Sequence, residues 1–197
     1  MPDWLPTVVE WTAAALGFAC VVLTVRQNMW CWPTGLLQVL LYIYVFLSAR
    51  LYSDMILHVI YVVLQVYGWW AWLHGGKDKG RLQTSWLSGR VRAAWALVIF
   101  AGTFTWGFLM ARFTDAALPY WDAATTVLSI VAQYLLAHKK IESWVLWIVV
   151  DILCVGIYFV KDLHTTMVLY AVFLVLAVMG LKKWTQSTQK QLAAAPA

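Results

Sequence analysis

The chain has 197 residues, of which 63% are hydrophobic and only 12% charged. A soluble domain carries about 25% charged residues, so this composition excludes an ordinary soluble globule and indicates a membrane protein. The net charge is +5, and where the 14 Lys and Arg fall matters more than their sum.

A membrane-crossing helix needs roughly 20 mostly apolar residues, and polar punctuation divides this chain into seven such segments. Residues 1–10 carry Asp3 and Glu10 but no Lys or Arg. The basic n-region of a secretion signal is missing, so the first hydrophobic segment is expected to stay as a helix. Span 1 covers 8–25 and ends at Arg26-Gln27-Asn28. Span 2 covers 33–48, opening at Pro33, and span 3 covers 54–73. Residues 74–91 form the longest polar loop, followed by span 4 over 92–111. Span 5 covers 119–137, span 6 covers 142–159 and span 7 covers 163–181. The tail, 182–197, is polar and then Ala-rich, and is expected to fray.

Seven spans put the two termini on opposite sides. With the N-terminus outside, the inner loops hold Arg26, Lys77, Lys79, Arg81, Arg90, Arg92, Lys139, Lys140, Lys182, Lys183 and Lys190. The outer loops hold Arg50, Arg112 and Lys161, so 11 of the 14 cations are inside. The positive-inside rule therefore orients the chain N-out, C-in.

Sliding the sequence by 112 positions lays span 3 on span 7. Leu51, Met55, Leu57, Val63, Leu64, Val66, Gly68 and Trp72 fall on Leu163, Met167, Leu169, Val175, Leu176, Val178, Gly180 and Trp184. Trp32 falls on Trp144 and Leu41 on Leu153, giving ten identities without a gap. The same offset carries Glu10 onto Asp122, Leu16 onto Leu128 and Leu23 onto Leu135. The expected fold is all-α, with two parallel three-helix repeats joined by a linker helix, a 3+1+3 transporter plan with its site between the halves at mid-depth. The first repeat takes residues 1–73, the cytoplasmic loop and linker helix 74–118, the second repeat 119–184, and a flexible cytoplasmic tail 185–197.

Polar groups inside a membrane are expensive and mark functional positions by default. Helical phase gathers Asp54, His58, Tyr61, Gln65, Gly68, Trp69 and Trp72 on one stripe of span 3. Asp122, Thr126, Ser129 and Gln133 share a stripe on span 5, and Trp144, Trp147, Asp151 and Tyr158 one on span 6. Span 2 offers Gly35, Gln38 and Tyr42. At about 1.5 Å per residue, Gln65, Ser129 and Asp151 sit near mid-membrane. Asp151 reads equally as a ligand contact or as a structural carboxyl bonded to hydroxyls. Gln65 and Gln133 read as ligand contacts or as hydrogen-bonding glue between helices. Glu10, Asp54 and Asp122 lie near water and fit solvated helix ends. Trp70 turns from the stripe toward the headgroup belt near Lys77. Trp72 recurs as Trp184, which makes it architectural, and Gly68, recurring as Gly180, lets a neighbouring helix approach.

Amides, hydroxyls and one carboxyl flanked by aromatics suit a flat, polar, cationic ligand; such rings attract cations by about 0.5–2 kcal/mol each. No mid-membrane Lys or Arg awaits an anion, so a phosphorylated substrate is not expected. There is no P-loop, and no Ser–His–Asp or H-E-x-x-H pattern. His58 has no partner in a ligand pattern, so no metal is expected. Cys20, Cys31 and Cys154 are scattered, as membrane-buried small residues are. No cofactor and no nucleic-acid partner are implied.

WPTG (32–35), ARLYSDM (49–55), LQVYGWW (64–70) and SIVAQYLLAHKKIESWVLWIVVDI (129–152) resemble the PnuC family of bacterial vitamin transporters. The resemblance covers spans 2–3 and 5–7. It implies a seven-span 3+1+3 fold related to SWEET sugar transporters, set in the bacterial inner membrane, with a homotrimer as the assembly. It implies facilitated diffusion of nicotinamide riboside, with a cytoplasmic kinase trapping the vitamin as a phosphate; relatives carry thiamine or riboflavin. It also implies substrate contacts at Gln65, Trp69, Thr126, Ser129, Gln133, Trp144, Trp147 and Asp151. One departure is Ser143, where many members have Asn, which leaves the subfamily open between nicotinamide riboside, thiamine and riboflavin. An intramembrane enzyme is the rival class; it would need paired catalytic groups, for which Asp151 and His58 are the nominees and no motif speaks.

Overall fold

The computed structural model describes residues 5–48, 52–76, 82–114, 118–160, 162 and 164–193. Seven helices occupy them: α1 Leu5–Val25, α2 Cys31–Ser48, α3 Tyr52–His74, α4 Gly89–Phe113, α5 Pro119–Ala137, α6 Glu142–Val160 and α7 His164–Ala193. Each expected span has its helix. α3, α4, α6 and α7 contain stretches long and apolar enough to cross a membrane, while the apolar stretches Trp11–Val25 and Cys31–Leu47 are shorter. α5 is diluted by Asp122, Thr125, Thr126, Ser129 and Gln133, which is why hydropathy alone does not pick it out.

The expectation of a frayed tail from 182 is corrected: α7 continues to Ala193. Ala177, Gly180, Trp184 and Thr188 recur at three- and four-residue spacing and are all buried, so the apolar seam runs on past the hydropathic end of the span. Lys, Gln and Leu in that last stretch are good helix formers.

Contacts divide the chain into two units, Met1–Gln83 and Thr84–Ala197. In the first, α2 packs against both α1 and α3. In the second, α4 packs on α5, α5 on α6 and α6 on α7.

Both units contain the same corner. α1 ends with Gln27 in the left-handed region at φ 54°, and α5 ends with Lys139 at φ 48°. Each is a Schellman stop, in which the two amides after the helix reach back to its last carbonyls. Gln27 N–H donates to the Thr24 carbonyl and Asn28 N–H to Leu23, both at 2.9 Å; Lys139 N–H donates to Leu136 and Lys140 N–H to Leu135, both at 2.9 Å. The next helix then opens alike: Cys31 N–H to Asn28 O and Ser143 N–H to Lys140 O are both 3.1 Å. Corresponding residues in the two corners are 112 apart throughout.

Beyond the corner, each unit seats an indole on a glycine. Trp32 of α2 lies on Gly68 of α3 and meets Trp72 edge-on, with ring centroids 5.3 Å apart at 86°. Trp144 of α6 lies on Gly180 of α7 and meets Trp184 with centroids 5.5 Å apart at 85°. Further along, His58 contacts Phe46 and Tyr61 in the first unit; Tyr170 contacts Tyr158 and Phe173 in the second. These pairs also keep the 112-residue offset.

The segment before α4 is pinned within the second unit. Ser85 N–H donates to Lys139 O, and Ile141 N–H donates back to Ser85 O. Lys140 Nζ donates to Ser85 Oγ at 2.7 Å, and Thr188 Oγ1 to Thr84 Oγ1 at 2.7 Å. Glu142 Oε1 accepts from Leu87 N–H at 2.9 Å and from Arg92 Nε at 2.7 Å. The Arg92 guanidinium also stands 5.3 Å from the Trp86 ring centre. Lys77, Lys79, Arg81, Arg50 and Lys161, which carry part of the orientation argument, lie outside the described residues.

A Cβ at Gly180 would stand 2.6 Å from the Trp144 ring, and overpacking of this kind costs about 1–3 kcal/mol. Gly180→Ala and Gly68→Ala should each lower the thermal midpoint of the purified protein. Gly156→Ala, where nothing lies within 4 Å of the added carbon, should not lower it. Thermal unfolding followed by size-exclusion recovery reads all three.

Candidate functional site

The eight expected contact residues fall in both units: Gln65 and Trp69 in the first, and Thr126, Ser129, Gln133, Trp144, Trp147 and Asp151 in the second.

Gln65 is buried on α3. Its amide end lies over Gly35 of α2, with Cys20 of α1 on the same spot. Cys20 is itself held, its Sγ–H donating to the Cys31 carbonyl at 3.1 Å. Gln38 of α2 lies similarly over Gly17 of α1: a Cβ there would be 3.3 Å from its Cδ. Trp69 differs from its neighbours on the stripe. Gly68 and Trp72 are buried, whereas Trp69 is 38% exposed, at the edge of the packed face. Trp70 is 58% exposed, as its phase requires, and its ring neighbours Tyr67 and His74. The side chains of Glu10 and Asp54 lie outside the described residues.

In the second unit, Ser129 and Gln133 are buried on α5, and Trp144 and Asp151 on α6. Thr126 is half-buried, and its hydroxyl is spent on its own helix, donating to the Asp122 carbonyl at 2.8 Å. Trp147 is half-buried and packs against the apolar cluster of Leu128, Val150 and Cys154. The indole N–H groups of Trp32 and Trp144 and the Ser143 hydroxyl are fully buried without a hydrogen-bond partner among the described residues. Sequence reasoning did not find the pinned segment around Glu142, because its partners lie 50 to 55 residues away and no local pattern announces them.

The buried polar side chains among the described residues are Thr24, Gln65, Thr84, Ser129, Gln133, Lys139, Ser143, Asp151 and Thr188. The cation among them, Lys139, sits at the α5–α6 corner and not within a helix. Among the described residues there is no group of three or more His, Cys, Asp and Glu placed to hold a metal ion. This donor set can hydrogen-bond hydroxyls and amides and can balance one positive charge; it offers no cationic cradle for a phosphate.

The family model described as nicotinamide mononucleotide transporter matches residues 7–186. The chain belongs to that family. It is 31% identical to the nicotinamide riboside transporter PnuC of Neisseria mucosa, over 96% of this chain and 75% of the relative. It is 24% identical to the nicotinamide riboside transporter PnuC of Escherichia coli, over 93% of this chain and 87% of the relative. The riboflavin/roseoflavin transporter RibM of Streptomyces davaonensis is 25% identical, over 86% of this chain and 80% of that one. The crystal structure of the vitamin B3 transporter PnuC superposes with a TM-score of 0.74 at 28% identity, covering 96% of this chain and 84% of that one. With four helices long and apolar enough to cross, the protein is a multi-pass membrane protein of a transporter family.

Trp70→Leu should leave ligand affinity within about twofold of wild type, since Trp70 faces away from every buried polar group of α3. Calorimetric titration of the purified protein checks it; a large loss would mean that the phase of α3 is misassigned.

Proposed function

We propose that this protein carries nicotinamide riboside across the bacterial cytoplasmic membrane by facilitated diffusion, with a cytoplasmic kinase trapping the imported vitamin as its phosphate. The observation that carries this reading is similarity over more than nine-tenths of the chain to relatives named nicotinamide riboside transporter. The family description names the mononucleotide instead. The buried groups favour the riboside: a phosphate transferred into a low-dielectric interior needs Arg or Lys beside it, and the buried polar side chains within the described helices are uncharged or acidic.

Gln65, Trp69, Thr126, Ser129, Gln133, Trp144, Trp147 and Asp151 are the proposed contacts. Asp151 balances the cationic nicotinamide ring, and the amides and hydroxyls pair with ribose. Trp69 serves from the edge of its face, and Thr126 as an acceptor, because its proton is engaged by Asp122. The chain is taken as N-out and C-in with a 3+1+3 plan. The matching corners and Trp–Gly seats, 112 residues apart, support that plan. Transport then proceeds by rocking of two related triplets.

Riboflavin is the second reading, favoured by the resemblance to RibM. The two readings differ in charge: a neutral flavin gains little from a carboxylate, whereas a pyridinium cation does. Purified protein should bind nicotinamide riboside more tightly than thiamine, riboflavin or the mononucleotide. Asp151→Asn should weaken riboside binding about 10-fold or more, the scale of a hydrogen bond to a charged group, without lowering expression. In liposomes, labelled riboside should equilibrate unchanged with no proton or sodium gradient. Tighter binding of riboflavin, accumulation above equilibrium, or chemical alteration of the substrate would each overturn the reading.

A further inference from the structure

In the first unit, a side chain reaches from α3 into room that α2 leaves open: Gln65 lies over Gly35. A Cβ at Gly35 would be 3.0 Å from Gln65 Cδ and closer still to the amide nitrogen. It would also stand 2.9 Å from Cys20 Sγ. The corresponding positions in the second unit, 112 residues on, are Trp147 for Gly35, Ala177 for Gln65 and Ala132 for Cys20. The exchange conserves the plan but reverses the sizes. In one unit the α2 position is empty and α3 supplies the long side chain. In the other, the α6 position carries an indole and the α7 position a buried alanine. The corner before these positions and the Trp–Gly seat beside them are shared. The reversal sits among further exchanges at the same offset, Gln38 against Val150, Gly17 against Ser129 and Val39 against Asp151.

We infer that Gly35 is a positioning residue for substrate binding: by carrying no side chain it fixes where the Gln65 amide lies. This rests on the proposed role of Gln65 as a substrate contact. Among the described residues the Gln65 amide has no hydrogen-bond partner, so packing alone holds it. A methyl group at position 35 would press on two neighbours of unequal freedom. Cys20 is tied to the Cys31 carbonyl and sits in mid-helix. The Gln65 amide is the free end of a flexible side chain and yields first. Gly35→Ala should accordingly fold and insert, with the amide displaced.

The test is a double-mutant cycle on the purified full-length protein, with nicotinamide riboside as titrant and the ligand-free thermal midpoint as a second readout. Gly35→Ala and Gln65→Ala should each weaken binding by roughly 3- to 10-fold, the worth of one hydrogen bond. The double variant should bind no more weakly than Gln65→Ala alone, because the contact group that the added methyl displaces is already gone. Without ligand, Gly35→Ala should lower the midpoint more in the wild-type background than in the Gln65→Ala background, where only the contact with Cys20 Sγ remains. Equal loss of affinity from Gly35→Ala in both backgrounds, or wild-type affinity in Gly35→Ala, overturns the inference. So does an equal fall of the midpoint in both backgrounds, and this holds whatever the ligand proves to be. If the wild-type protein fails to bind the riboside, the proposed function falls on that observation alone, while the midpoint cycle still decides whether Gly35 positions Gln65.

Discussion

The fold depends on an indole lying directly on a glycine. Lipid is as apolar as the side chains it surrounds, so helices in a membrane are not driven together by the hydrophobic effect and need close packing instead. A glycine lets a flat ring approach the facing backbone, and burying a ring the size of Trp makes many small dispersion contacts at once. Trp32 on Gly68 and Trp144 on Gly180 do this at the same relative place, and Trp72 and Trp184 close each seat from the side. All four rings are buried. The two glycines cannot accept even a methyl group without displacing the rings.

What the two units share is architecture, and what differs between them is open to function. Under that criterion Trp144 changes character. Its counterpart Trp32 has the same neighbours, the same edge-on partner and the same buried, unpartnered N–H. A residue present in both units with one geometry belongs to the frame first. The unpaired polar atom is the cost of using an indole where shape matters most. Asp151, Gln133 and Ser129 are different: the residues 112 positions earlier are Val39, Val21 and Gly17. The polar inventory of the second unit has no copy in the first, just as Gln65 has none in the second.

Helix placement was readable because hydropathy and polar punctuation report the lipid boundary directly. The C-terminal end of α7 was not, because hydropathy stops at the boundary while helical propensity and the Trp184–Thr188 seam do not. Helical phase found the buried face of α3 but made it too wide. Relative to Gln65, Trp72 lies about 20° to one side and Gly68 about 60° to the same side, while Trp69 lies about 40° to the other. The face that packs on α2 is centred toward Gly68, so Trp69 falls on its rim. The pinned segment of Thr84, Ser85 and Leu87 was illegible for another reason: its partners come from the α5–α6 corner and from α7, up to 104 residues away. No periodicity encodes such a pairing.

The reversal at Gly35 and Gln65 bears on how two units that share corners and Trp–Gly seats would serve the proposed substrate. Two identical halves would offer a ligand the same groups twice, which suits a symmetric molecule. A pyridinium riboside is not symmetric: one end is a flat cation and the other a cluster of hydroxyls. Recognising it requires each half to lose what the other keeps. In the proposed function the first unit contributes a neutral amide over an empty position and the second a carboxylate, a second amide and an indole, with the corners and the Trp–Gly seats left alone. The frame can then tolerate exchange at Gln65, Ser129, Gln133 and Asp151, proposed contacts that take no part in the corners or the Trp–Gly seats, whereas Trp144 carries the seat on Gly180.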